Sequence, residues 1–161
     1  MTMQQNSQFV VAQLLKVTAK EARYLERTAA RLGALNIDLT WVKSLENSDE
    51  HSEMLDAFVS RYGRLQDTLG DKLLPAMLRA GLEKTGSQLD NLLRAEKLGW
   101  IASAERWIEL RELRNRLIHE YMESPDDLLS ALQQALLGVK ILSATQLHLT
   151  TYAQKAGVKP T

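Results

Sequence analysis

The residues best suited to chemistry in this chain lie within positions 107–121, in the segment WIELRELRNRLIHEY. Apolar residues recur there at helical spacing, and Arg114 occupies a place in that stripe where another apolar side chain is expected. A cation among core positions costs free energy unless it is paired or serves an interface or a site. Five residues later comes His119, whose imidazole can transfer protons near neutral pH. Arg114 and His119 are therefore the first candidates for catalytic residues.

Helix geometry limits how these two side chains can act together. At 3.6 residues per turn they point about 140° apart, so one straight helix does not easily aim both at the same atom. Asn115 lies four residues before His119, and Tyr121 lies seven after Arg114, which places each pair on a shared face. Two copies of the chain meeting across a symmetry axis would bring an arginine and a histidine together.

A purely structural role is also open for these residues. Arg114 would then form a buried salt bridge, and His119 would be a hydrogen-bonding residue at the end of a helix. Arg61, Arg64 and Asp67 lie within two turns in RYGRLQDTLG. They form surface ion pairs in one interpretation. In the other, one of these arginines lies near a polyanion, or Asp67 pairs with Arg114.

Composition indicates a helical globular protein. The 161 residues balance 20 basic against 20 acidic side chains, and only 8 Gly and 3 Pro interrupt a sequence rich in helix-forming residues. Zero net charge argues against a protein that coats nucleic acid through phosphate neutralisation alone. The absence of cysteine excludes disulfides, thiolate metal sites and cysteine nucleophiles. The histidines have no partner at metal-site spacing, so we expect neither a metal nor another cofactor.

The pattern predicts an all-α fold without a sheet. We expect an up-and-down bundle of four to five main helices in one domain over residues 1–161, with 157–161 as a short tail. Gly70 and Pro75 should bend or break a helix near Leu74. Four serines are placed to cap helix N-termini: Ser48, Ser87, Ser103 and Ser124.

The sequence also indicates where in the cell the protein is expected. The N-terminal MTMQQNSQ lacks the basic and then apolar pattern of a secretion signal. No apolar run approaches the roughly 18 residues that a membrane-spanning helix needs. We therefore expect a cytoplasmic protein without membrane association.

Residues 114–121, RNRLIHEY, resemble the Arg-x-x-x-x-His-x-Tyr signature of the HepT toxins, a branch of the HEPN superfamily of helical ribonucleases. The specific resemblance covers about residues 105–132, including the Asn after the Arg and the Pro-Asp-Asp helix start after the Tyr. It implies a HEPN-like fold and a metal-independent endoribonuclease acting as a homodimer, with both chains lining one cleft. Arg114 and His119 are then catalytic, and Asn115 and Tyr121 support them.

The resemblance also implies a partner, an MNT-type minimal nucleotidyltransferase antitoxin that adds AMP to the motif tyrosine. In this chain that residue is Tyr121, and its modification would block the cleft and occupy the positive charge of Arg114. The arginines that we consider for RNA contact are Arg61, Arg64, Arg111 and Arg116.

The chemistry of RNA cleavage suits an arginine with a histidine. RNA carries its own nucleophile, the 2′-OH, which must lose a proton while the leaving oxygen gains one. Histidine can perform either transfer, and arginine presents a planar fork to phosphate oxygens. Two other functions stay open: a non-catalytic subunit in which Arg114 and His119 bind a nucleotide phosphate for a nucleotidyltransferase, and a dimeric helical adaptor in which these residues only fix the pairing.

Overall fold

The computed structural model describes the backbone of residues 3–160 and the side chains of residues 5–119 and 123–160. That part of the chain is all-helical and contains no β-strand, which confirms the predicted fold class. Its α-helices are, in chain order, α1 (Met3–Gly33), α2 (Leu39–Lys43), α3 (Asp49–Asp67), α4 (Leu74–Ala80), α5 (Gln88–Lys97), α6 (Ala104–Glu123) and α7 (Pro125–Lys155). A short 3₁₀ turn, Ser44–Glu46, follows α2, and a π-helical segment, Thr68–Leu73, joins α3 to α4.

The core lies between the long helices. The first helix, α1, packs against α3, α4 and α7, while α6 packs against α3, α5 and α7. Apolar residues at intervals of three and four on α3 give it one buried face, which includes Leu55, Phe58, Tyr62 and Leu65. Burial of each large apolar side chain stabilises the fold by roughly 1.5–3 kcal/mol. The hydrophobic face therefore fixes how α3 is rotated toward α1 and α6.

All four predicted serine caps are formed. In each, the side-chain oxygen accepts a hydrogen bond from the backbone N–H three residues later, which satisfies one free donor of the first turn. These serines are Ser48, Ser87, Ser103 and Ser124. Ser87 also belongs to a full capping box, because the Asp90 carboxylate accepts from the Ser87 N–H. Ser103 fixes the start of α6, and Ser124 fixes the start of α7 directly after the end of α6.

The chain stays helical where Gly70 and Pro75 predicted a bend or a break near Leu74. The irregularity takes the form of the π-helical segment, in which the Leu74 N–H donates to the Leu69 carbonyl five residues back. Proline has no N–H to donate, so a helix that contains one needs such a local change of register. Gly70 serves a second purpose, because a Cβ there would lie 2.9 Å from Nε1 of Trp107 on α6.

The end of α7 is fastened by a Schellman motif. Gly157 adopts φ +93°, and the Val158 N–H donates to the Ala153 carbonyl at 2.9 Å. The sequence predicts 157–161 as a tail, yet Val158 is buried with the core. The chain therefore remains packed for at least one residue beyond the helix.

By length and composition, α7 is a helix that could cross a membrane. The core helix of a protein in water often has the same properties, so the observation is weak evidence for a membrane location. Ten residues of α7 are buried within the fold, at the three- and four-residue spacing of a packed helix.

Candidate functional site

The candidate site is built on α6. Four residues of its apolar stripe, spaced by three, three and four, are buried between α3, α5 and α7: Trp107, Leu110, Leu113 and Leu117. Arg114 lies beside this stripe, and its side chain is 26% exposed. The packing of the stripe fixes the rotation of α6, and therefore the direction in which Arg114 leaves the helix.

Arg114 points toward α3 and is held there. Its Nη1 lies 2.6 Å from Oδ2 of Asp67 and 3.5 Å from the Gly63 carbonyl oxygen. The Asp67 side chain is 45% exposed, so this is a partly solvated ion pair and not the buried salt bridge of the structural interpretation. Such a pair stabilises a fold by about 1 kcal/mol or less. Its main effect is to fix the position of the guanidinium group.

The absence of a side chain at Gly63 leaves room for the Arg114 side chain. A Cβ at residue 63 would lie 2.7 Å from Cδ and 3.2 Å from Nε of Arg114, closer than real Cβ contacts come. The arginine therefore lies directly against the backbone of α3. An isolated glycine inside a helical pattern signals such a close approach, and RYGRLQD carries that signal.

An open groove of about 440 Å³ lies between α3 and α6 at this point. Its described lining includes three cations and one carboxylate: Arg64, Lys72, Arg114 and Asp67. Ser60 and the exposed Ile118 complete the wall nearest to the solvent. This excess of positive charge suits a phosphate group. Lys72 was not among the residues predicted from the sequence.

His119 lies outside this groove. Its side chain is 65% exposed, and its Nε2 lies 3.0 Å from Oε2 of Glu123, one turn further along the same helix. Neither residue makes a described hydrogen bond to another helix. The described structure thus brings Arg114 to Asp67 and Arg64 but does not bring His119 to them, in agreement with their angular separation on the helix.

The structure describes the supporting residues of the motif, Asn115 and Tyr121, less completely. Asn115 is exposed, four residues before His119. The backbone of Tyr121, the predicted modification site, belongs to α6, but its side chain lies outside the described residues.

The four arginines considered for RNA contact have different surroundings. Arg64 lines the groove and donates to Ser60 Oγ at 3.3 Å, and Arg116 is exposed. Arg61 turns to α1, where it donates to the Tyr24 carbonyl at 3.2 Å and to Thr28 Oγ1 at 2.6 Å.

Arg111 is already engaged by groups of its own chain. It contacts the Gln88 side chain and lies 3.5 Å from Oδ1 of Asp71. Arg61 and Arg114 are also hydrogen-bonded within the chain, so these contacts do not separate Arg111 from the other candidates for RNA contact.

Burial shifts the pKa of two groups near the site. Desolvation raises the pKa of Glu21, although the hydrogen bond from Thr68 and the charges of Arg64 and Lys72 oppose the shift. Desolvation also raises the pKa of Tyr62, whose hydroxyl donates to the Leu110 carbonyl at 3.1 Å. Tyr62 is a core residue that joins α3 to α6 and remains protonated at neutral pH.

Among the described side chains, no three His, Asp or Glu residues converge in a way that could hold a metal ion. Comparison of the chain with protein-family models, with curated proteins and with solved structures finds no match. The function must therefore be argued from the sequence motif and the geometry of α6.

Proposed function

We propose that this protein is a metal-independent endoribonuclease of the HepT type, which cuts RNA at a composite site formed across a homodimer. One observation carries the proposal most strongly. Arg114 is fixed at the wall of a cation-rich groove, while His119 is exposed on another face of the same helix. A second copy of α6 is the simplest source of a histidine that faces the first copy's Arg114.

The chemistry follows from these positions. The Arg114 guanidinium binds oxygens of the scissile phosphate and stabilises the charge that grows there. The His119 imidazole of one copy removes the proton of the 2′-OH, and that of the other copy protonates the leaving oxygen. The phosphorus–oxygen bond to the leaving nucleotide breaks as the 2′-oxygen bonds to phosphorus. Asn115, on the face of His119, supports it by hydrogen bonding.

Regulation belongs to the same proposal. A nucleotidyltransferase antitoxin would add AMP to Tyr121, close in sequence to His119, and place a bulky anion in the cleft. The support for this partner is the RNRLIHEY signature alone. The proposed setting of the toxin and its antitoxin is the cytoplasm, where RNA is available.

The test is RNA cleavage by the wild type and by His119→Ala, with and without a chelator. Loss of a proton-transfer group should lower the rate by about 10²–10⁴-fold, and the chelator should have no effect. The melting temperature should not change, because the imidazole is exposed. His148→Ala, an exposed histidine on α7, is the matched control and should cleave RNA like the wild type.

Three outcomes would contradict the proposal: persistent cleavage by His119→Ala, loss of cleavage with the chelator, or no cleavage by the wild type. If the purified protein leaves RNA intact but binds nucleotide, and Arg114→Ala abolishes that binding, the chain is a non-catalytic subunit instead.

A further inference from the structure

Three cations surround one tyrosine on α1. The Lys20 Nζ lies 5.9 Å from the centre of the Tyr24 ring, and the guanidinium carbons of Arg27 and Arg61 each lie 5.6 Å from it. Lys20 and Arg27 are helical neighbours of Tyr24, whereas Arg61 comes from α3. We call these four residues the Tyr24 cluster. Tyr24 is 36% exposed, so the cluster is open to the solvent.

The fold does not neutralise this charge. Within residues 5–119 and 123–160, none of the three cations has a carboxylate within 4.0 Å. Over residues 16–31, α1 carries five basic and two acidic side chains, although the whole chain is balanced. An exposed cation–π contact is a weak interaction, similar in size to the repulsion between like charges placed together. The cluster therefore adds little stability and creates a local positive potential.

Arg61 is the member of the cluster whose position is fixed. Its two hydrogen bonds to α1, to the Tyr24 carbonyl and to Thr28 Oγ1, hold the guanidinium beside the ring. Lys20 and Arg27 are long, exposed and flexible by comparison. A planar ligand can therefore displace one of these two from the ring while Arg61 keeps its place.

The cluster and the Arg114 groove both include an arginine of α3. Arg64 follows Arg61 by three residues on α3, a rise of about 4.5 Å, and lines the groove with Lys72 and Arg114. Cations thus lie at intervals from Tyr24 across α3 to the candidate catalytic arginine, with the carboxylates of Glu21 and Asp67 among them. A chain of phosphates can follow such a path, and an aromatic ring along it can stack with a base.

We infer that the Tyr24 cluster is a second site for single-stranded RNA, in which a base stacks on Tyr24 and the flanking phosphates pair with Lys20, Arg27 and Arg61. The inference rests on the proposed function, since it names how the substrate of that reaction is held away from the cut. An acidic protein segment shares the charge of RNA but has no base to stack, so the aromatic ring at the centre of the cluster favours RNA.

The test measures binding without cleavage. Fluorescence anisotropy gives the Kd for a labelled single-stranded 2′-O-methyl RNA, which lacks the nucleophile. Tyr24→Leu should raise that Kd about 5–150-fold, because a base stack contributes about 1–3 kcal/mol. Tyr24→Phe keeps the ring and should bind like the wild type. Arg27→Gln should lower the slope of log Kd against log salt by about one.

Matched controls lie on α7. Tyr152 has the same exposed fraction as Tyr24, and Lys140 is an exposed lysine. Tyr152→Leu and Lys140→Gln should leave the Kd unchanged. Circular dichroism and thermal melting of each variant establish that it is folded before its Kd is compared.

Four results would overturn the inference. The first is that the wild type does not bind RNA, and the second is that Tyr24→Leu and the wild type have equal Kd values. The third is that an abasic oligomer binds as tightly as the RNA. The fourth is that a poly-glutamate peptide displaces the labelled RNA as well as an unlabelled RNA of the same charge does. The two proposals fail separately. RNA binding that depends on Tyr24, without any cleavage, would contradict only the proposed nuclease activity. Cleavage that depends on His119, with no effect of Tyr24 on RNA binding, would contradict only the proposed RNA site.

Discussion

The surroundings of Arg114 and His119, both on α6, are opposite. Arg114 lies beside the buried stripe of the helix and reaches across to Asp67 on α3, much as Arg111 reaches Asp71. Residues 115–119 expose Ile118 and His119, and the described partner of His119 is Glu123 on the same helix. The chain fixes the position of its candidate phosphate-binding group but not that of its candidate proton-transfer group.

This difference has a consequence for catalysis. A guanidinium already held at one position loses little conformational freedom when a phosphate binds, which lowers the barrier to reaction. An exposed imidazole with a partner only on its own helix has no such advantage, and an ion pair of this type contributes about 0.5 kcal/mol or less. The histidine therefore needs a second surface to position it, and a second copy of α6 is the surface that we propose.

The contrast between the buried and the exposed face of α6 can be tested at two adjacent residues. Leu117 is 0% exposed and Ile118 is 56% exposed. Leu117→Ala should lower the free energy of unfolding by about 2–5 kcal/mol, because it leaves a cavity in the core. Ile118→Ala should change it by about 0.5 kcal/mol or less. Urea denaturation at low protein concentration measures both, and equal losses would show that Ile118, like Leu117, is packed within its own chain.

The importance of a fixed arginine can be tested through Gly63. Gly63→Ala places a methyl group 2.7 Å from Cδ of Arg114 and must push that side chain away from Asp67. We expect RNA cleavage to fall about tenfold, since small displacements of catalytic groups are costly. Gly33→Ala is the matched control, because a Cβ there meets nothing within 4 Å. Equal cleavage rates for Gly63→Ala and the wild type would show that the position of Arg114 does not limit the reaction.

A smaller effect, on the pH dependence of stability, should appear at Glu21 on α1, near the candidate site. Burial raises its folded-state pKa above 4.5, so the folded protein binds this proton more tightly than the unfolded chain does. Stability should therefore fall as the pH rises from 4.5 through that raised pKa. Glu21→Gln removes this dependence and should be more stable at pH 7 by roughly 0.5 kcal/mol, given the partial exposure.

The measurement is thermal or urea unfolding of both proteins from pH 4 to pH 7. The advantage of Glu21→Gln should shrink toward the acid end of the range. Glu26→Gln, an exposed acid on α1, is the control and should follow the wild type. A variant that is less stable than the wild type at pH 7 would contradict the assigned role of burial.

What the sequence could predict was mostly local. The serine caps and the helical stripe of α6 depend on residues within a turn or two, and both were predicted. Asp67 as a partner of Arg114 was one of several alternatives, since spacing on two separate helices does not fix their rotation. The predicted bend or break takes the form of the π-helical segment, in which the hydrogen-bond register changes just before Pro75.

The Tyr24 cluster lay beyond prediction for a related reason. Lys20 and Arg27 are neighbours of Tyr24 on a helix, but Arg61 joins them only because α1 packs against α3. Arg61 was considered for RNA contact from its charge alone, without its position. The packing of distant helices decides which cations share a surface, and one sequence does not reveal that packing.

The composite site is tested most directly by mixing wild-type protein with His119→Ala at constant total concentration and allowing the chains to exchange. If each site needs a histidine from both copies, initial rates of RNA cleavage should follow the square of the wild-type fraction, so that an equal mixture retains about a quarter of the full rate. A linear dependence, with about half of the rate in the equal mixture, would contradict the account because one histidine would then suffice for each site.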